Sequence, residues 1–136
     1  MKLSRMNYSA TWDELVDRFE TALRNDSSLR WPEHNRDQAE LQALGSYKLL
    51  CFAERIAKNP LAPWSHLTTY QALQLYLLNK HHWNPETPWD PAEEDLLFLL
   101  REELAQMKLT QVESEPIRSA FESSPSALEL FSPHWE

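Results

Sequence analysis

Four stretches of the chain place apolar residues at the i, i+3, i+4 and i+7 spacing that marks one face of an α-helix. Residues that start or stop helices bound these stretches: Thr11 opens a Thr-x-x-Glu capping sequence, and Pro60 and Pro63 separate the second stretch from the third. The predicted helices span residues 11 to about 25–28, about 35 to 58, 65 or 68 to about 81, and 90 to 107. Connections of about ten residues or fewer favour antiparallel neighbours.

The fourth stretch carries the clearest helix signals. Asp90 can supply an N-cap oxygen, Pro91 fits the first helical position, and Glu93 lies three residues after the cap, where it can close a capping box. Leucines at positions 96, 97, 99 and 100 fall on more than one side of this helix, as is typical of a helix covered by several neighbours. We therefore predict that residues 90–107 form the central helix of a small bundle.

Gly45 lies in the middle of the second predicted helix, where it can kink the helix or let a neighbouring helix approach closely. We predict a continuous helix. After Lys108 the periodicity weakens, and short helices are expected over residues 116–122 and 125–131. The fold prediction is a single all-α domain over residues 1–136. It is an antiparallel four-helix bundle or an orthogonal array, with one or two short C-terminal helices and with residues 1–10 and 132–136 loosely ordered.

Composition excludes several classes of protein. The 136 residues include one glycine, whereas a phosphate-binding loop, a dinucleotide-binding fold or a series of tight hairpins needs several. Cys51 is the one cysteine and lies in an apolar run, which favours a buried thiol in a reducing compartment. Neither a signal peptide nor an apolar run of membrane-spanning length is recognisable. We expect a soluble cytoplasmic protein that does not bind membranes.

Charge is unevenly distributed along the chain. From Glu86 onward there are twelve acids and three bases, a net charge of −9, whereas residues 1–85 contain ten bases and nine acids, a net charge of +1. An acidic surface repels nucleic acid and anionic membranes and attracts basic partners. The expected partner is therefore another protein with a basic surface, not a nucleic acid. Assembly into a homo-oligomer is left open.

Candidate chemistry concentrates in residues 80–90. The adjacent His81 and His82 lie near Glu86 and Asp90, a set that could bind a metal ion or act in acid–base catalysis. Adjacent residues on a helix point roughly 100° apart, however, and no His-x-x-x-His or Glu-x-x-His spacing occurs. We predict no cofactor, no catalytic residue and no metal site. His81 and His82 remain the candidate ligands of an alternative, a small helical metal-binding protein or enzyme.

Six tryptophans are many for this length, and four of them, Trp31, Trp64, Trp83 and Trp89, lie in connections within two residues of a proline. Each of these tryptophans can pack a connecting segment against the end of the bundle, or its side chain can stay exposed and bind a partner. The leading hypothesis is a non-enzymatic interaction module: an adaptor, an inhibitor or an immunity-type protein. A second alternative is a nucleic-acid mimic, in which rows of carboxylates imitate phosphates. The predicted partner-binding residues are Trp83, Trp89, Glu86, Glu94, Glu102 and Glu103.

Overall fold

A computed structural model describes residues 7–25, 35–58, 61, 63–64, 66–81 and 91–136, with the side chains of residues 35–37 left out. These residues form an all-α fold, as predicted. The helices of the described chain are α1 (Tyr8–Arg24), α2 (Asn35–Ala57), α3 (Thr69–His81), α4 (Glu93–Leu99), α5 (Arg101–Gln106), α6 (Gln111–Ala120) and α7 (Pro125–Phe131), and a 3₁₀ turn, Ser132–His134, follows α7. No helix of the described residues combines the length and the apolar character that crossing a membrane requires.

Helix α2, and not the helix predicted over 90–107, is the centre of the bundle. It runs without interruption through Gly45, as predicted, and packs against α1, α3, α4 and α5. Its small residues, including Ala39, Ala43 and Ala53, are fully covered by neighbours. Helix α4 passes Gly45 without crowding it, because Leu97 Cδ2 lies 3.8 Å, an ordinary contact distance, from the position that a Cβ atom would take.

The stretch predicted as one helix over 90–107 is divided into α4 and α5 at Leu100, whose φ and ψ angles are −104° and 11°. Helical hydrogen bonds continue across this point, because the Leu100 N–H donates to Leu96 O and the Leu104 N–H donates to Leu100 O. The predicted cap was wrong. Ala92 is the N-cap residue, and its N–H donates to the Asp95 carboxylate at 3.0 Å. Asp90 lies outside the described residues.

Other helix starts also differ from the prediction. Asn7 caps α1, accepting a hydrogen bond from the Ala10 N–H at 3.0 Å, so residues 8–10 are helical and not a loose arm. Helix α6 begins five residues earlier than predicted, behind a capping box formed by Thr110 and Glu113. At α3, Thr68 and Gln71 form a capping box with hydrogen bonds in both directions, which agrees with a helix start near residue 68.

The interior has two apolar clusters. The first lies between α1, α2, α6 and α7, and in it the rings of Trp12 and Tyr47 meet edge to face at 5.6 Å. The second lies between α2, α3, α4 and α5 and includes the fully buried Leu77 and Leu100. Met107 packs against both clusters.

Residues 132–136, which were expected to be loosely ordered, dock on the bundle. The Leu109 N–H donates to His134 O at 2.8 Å, and the Glu136 N–H donates to Leu109 O at 2.9 Å. These bonds form an isolated parallel bridge between Leu109 and Trp135. Trp135 is partly buried against the first cluster. We call residues 132–136 the tail.

Candidate functional site

The structure places the predicted site residues in three different situations. Trp83, Trp89, Glu86 and His82 lie outside the described residues. The remaining positions are described: His81 is exposed at the end of α3, Glu94 and Glu102 are exposed on α4 and α5, and Glu103 is partly buried. Part of the predicted surface can therefore be examined, around α4 and α5.

Three acids of the last third pair with bases of the first 85 residues. In the best exposed of these pairs, Arg18 Nη2 lies 3.0 Å from a carboxylate oxygen of Glu93. The other two pairs are Lys80–Glu103 and Arg55–Glu113. Each pair joins helices that are distant in sequence. A part of the acidic surplus is therefore used to hold the chain together, and Glu103 cannot reach a partner without leaving Lys80.

Glu113 is the most deeply buried of these acids. Its carboxylate accepts hydrogen bonds from Arg55 Nε at 3.2 Å, from Arg55 Nη2, and from the Thr110 N–H at 2.8 Å. Its carbonyl oxygen accepts a hydrogen bond from the Tyr47 hydroxyl. The hydrogen bond to Glu113 raises the pKa of Arg55. These oxygens are turned inward and bonded, so this network positions α6 on α2 and leaves no free carboxylate for chemistry.

Lys48 lies in the interior of the bundle and was not identified from the sequence. Its residue exposure is 3%, and burial together with the nearby Arg55 guanidinium lowers its pKa to about 8. Its Nζ atom contacts Leu104 O at 2.9 Å, Met107 O at 3.0 Å and His134 Nδ1 at 2.8 Å. Burial and the Lys48 charge lower the pKa of His134. The one available signal was that Lys48 lies within an apolar run, residues 47–53.

The outer face of α4 and α5 combines an aromatic ring with carboxylates. Phe98 is 77% exposed. Glu94 lies one helical turn before it and Glu102 one turn after it, and both are exposed. Because helical hydrogen bonds continue through Leu100, these three side chains share one side of the helix pair. We call Glu94, Phe98 and Glu102 the α4–α5 face.

Two further apolar features lie on the described surface. Leu41 of α2 and Leu130 of α7, each about half exposed, line a groove of about 230 Å³. Trp64, in the connection between α2 and α3, is 80% exposed. Of the tryptophans that are described, Trp12 is buried and Trp135 is partly covered, so Trp64 is the one that projects into solvent.

Within the described part of the chain, no three His, Cys, Asp or Glu side chains are grouped closely enough to hold a metal ion. Comparison of the chain with family models, with curated proteins and with solved structures returned no match. Function is therefore inferred from the described surface alone.

Proposed function

We propose that the protein is an interaction module that binds a partner protein through the α4–α5 face. The observation that carries this proposal is the exposure of Phe98 between two exposed carboxylates. Covering a phenylalanine side chain contributes about 1.5–3 kcal/mol, and aromatic residues are frequent anchors of protein interfaces. A fitting partner offers an apolar pocket for the ring, with lysine or arginine on both sides of it.

The charge of the face supports a basic partner. Glu93 and Glu103, on the same two helices, are engaged with Arg18 and Lys80. Glu94 and Glu102 have no ion pair within the described residues and project into water. Carboxylates of this kind accelerate the encounter with a basic surface and make binding weaken as salt is added.

Photo-cross-linking in a cell lysate of the source organism tests the proposal. A photoreactive phenylalanine derivative is placed at position 98 and, in a matched control, at position 112, because Val112 is also an exposed apolar residue but lies on α6. We expect one protein to cross-link at position 98 and not at position 112, with a yield that falls as salt is added.

Competition by unlabelled variants identifies the residues responsible. Unlabelled wild type and Val112→Ala should suppress the cross-link, whereas Phe98→Ala and the double variant Glu94→Lys/Glu102→Lys should not. Equal cross-linking from both positions, or full competition by Phe98→Ala, would refute the proposal. A cross-link to a second copy of the chain would show that the α4–α5 face mediates self-association and does not bind a basic partner.

A further inference from the structure

We propose that the contact between Lys48 and His134 is a proton-sensitive lock, which holds the tail on the bundle near neutral pH and releases it on acidification. The contact lies at the C-terminal end of α5, whereas Phe98 lies on α4, before the N-terminal end of α5. The inference therefore does not depend on the proposed function.

The lock is built from hydrogen bonds that use every donor of the lysine. Two of its three acceptors are the carbonyl oxygens of Leu104 and Met107, at the C-terminal end of α5. An ammonium group carries three N–H donors, so the third is directed to His134 Nδ1, at 2.8 Å. None of the three acceptors is a carboxylate, so the positive charge of Lys48 is stabilised only by the dipoles of two carbonyl groups and the imidazole ring.

The contact between Lys48 and His134 forms when one of the two side chains is charged, but not when both are. With a charged lysine and a neutral histidine, the ammonium donates to the bare Nδ1 atom. With a neutral lysine, Nδ1–H donates to the amine instead. When both groups are protonated, two N–H groups face each other across 2.8 Å, with no acceptor between them. Two positive charges at this distance in a half-buried position repel strongly, so the second proton is incompatible with the contact.

Other charged groups near the contact do not supply the missing acceptor. Arg55, also on α2, adds a second positive charge that acts on Lys48. The carboxylate of Glu113, on α6, is bonded to Arg55, and Glu136 in the tail acts electrostatically on Arg55. The charge that His134 faces directly is Lys48, and together with burial it lowers the pKa of His134.

Protonation acts directly on tail docking, because His134 holds the tail by two groups. Its ring contacts Lys48, and its carbonyl oxygen accepts the Leu109 N–H. Docking lowers the pKa of His134. By linkage, protonation of His134 must then lower the equilibrium constant for docking, about tenfold for each unit by which the pKa is lowered. Docking is at full strength above the ordinary histidine pKa of about 6.5, and it weakens as the pH falls from there through the lowered pKa.

Nuclear magnetic resonance of the full chain tests the lock. The probes are the hydrogen-exchange protection of the Leu109 amide and the indole N–H signal of Trp135, both followed as the pH is lowered, with helix content measured by circular dichroism. In the wild type we expect protection at Leu109 to fall as the pH drops below the ordinary histidine pKa of about 6.5, while helix content is retained. The Trp135 signal should move in the same transition.

Two variants separate the lock from a general effect of acid. His134→Asn places an amide oxygen near the Nδ1 position and cannot be protonated, so its tail should stay docked. His66→Asn removes an exposed histidine from the start of the α3 region and should behave as wild type. The proposal is overturned if the wild type keeps its Leu109 protection through the titration, if His134→Asn loses it equally, or if helix content is lost in the same step.

A third variant tests the source of the effect. Lys48→Met removes the facing charge, so the pKa of His134, followed by its ring carbon shifts, should rise toward its ordinary value. An unchanged pKa of His134 in a folded Lys48→Met protein would contradict the proposal.

Discussion

Replacing Arg55 by methionine tests how far the fold depends on one guanidinium beside a buried carboxylate. Methionine retains the apolar stem but removes two donors to Glu113 and a third to Lys108 O, at 2.9 Å. The carboxylate then keeps only the Thr110 N–H. It remains buried, because Glu113 is held in place by the capping box and by the bond from Tyr47 to its carbonyl oxygen.

The expected loss follows from the burial of the two partners. Breaking a buried ion pair from one side costs about 3–5 kcal/mol, because the remaining charge is not compensated. The Glu113 side chain is 5% exposed but that of Arg55 is 39% exposed, so water can reach the carboxylate from the arginine side. We therefore expect about half of that cost, about 2 kcal/mol, or about 6 °C in melting temperature for a chain of this length.

Urea denaturation of four proteins measures this loss: wild type, Arg55→Met, Glu113→Gln and the double variant. The double variant should lose at least about 1 kcal/mol less than the sum of the single losses, because a neutral amide needs no counter-charge.

Arg18→Met is the matched control, because Arg18 and Glu93 form a pair whose side chains are 51% and 40% exposed. It should cost less than about 0.5 kcal/mol. If Arg55→Met costs no more than Arg18→Met, or if the losses of the double variant are additive, the interpretation of Glu113 as a buried charge held by Arg55 is wrong.

Two further substitutions test the packing around α4 and α5. Leu100→Ala should lower the free energy of unfolding by about 3 kcal/mol, because Leu100 is fully buried, whereas Phe98→Ala should change it by less than about 0.5 kcal/mol. Equal losses in urea denaturation would contradict the assignment of Leu100 to the core. Gly45→Ala should raise the free energy of unfolding by about 0.5–1 kcal/mol, because a Cβ atom would meet Leu97 at an ordinary contact distance of 3.8 Å and alanine favours the helix interior. A loss of stability in the same assay would show that the packing of α4 requires glycine at this position.

The features that could be predicted from the sequence depend on neighbouring residues. The capping box of Thr68 and Gln71 is a contact between residues three apart, and the continuity of α2 through Gly45 follows from the long helical pattern around it. The same local reasoning chose the wrong cap for α4. Asp95 accepts the N–H of Ala92, three residues before it, so the correct contact is also local, and the sequence offered Asp90 as a competing cap.

The features that could not be predicted depend on partners distant in the chain. Helix α2 was not recognised as the centre, because Ser46 and Lys48, both buried, look like solvent-facing positions in a sequence. Glu103 looked as accessible as Glu102, and only the position of Lys80, on α3, distinguishes them. The predicted exposure of Glu94 and Glu102 agrees with the structure, since both lie opposite the apolar stripe of their helices.

Three side chains of α2 depend on segments that the ribosome adds much later. Tyr47, Lys48 and Arg55 donate hydrogen bonds to residues between 104 and 134. While the nascent chain contains only the first three helices, the native acceptors of these donors are missing, and sealing an unpaired donor from water would cost about 1–3 kcal/mol. Closure of the native interior around α2 is therefore unfavourable until residues 104–134 have been synthesised, so hydration of the early helices is favoured up to that point.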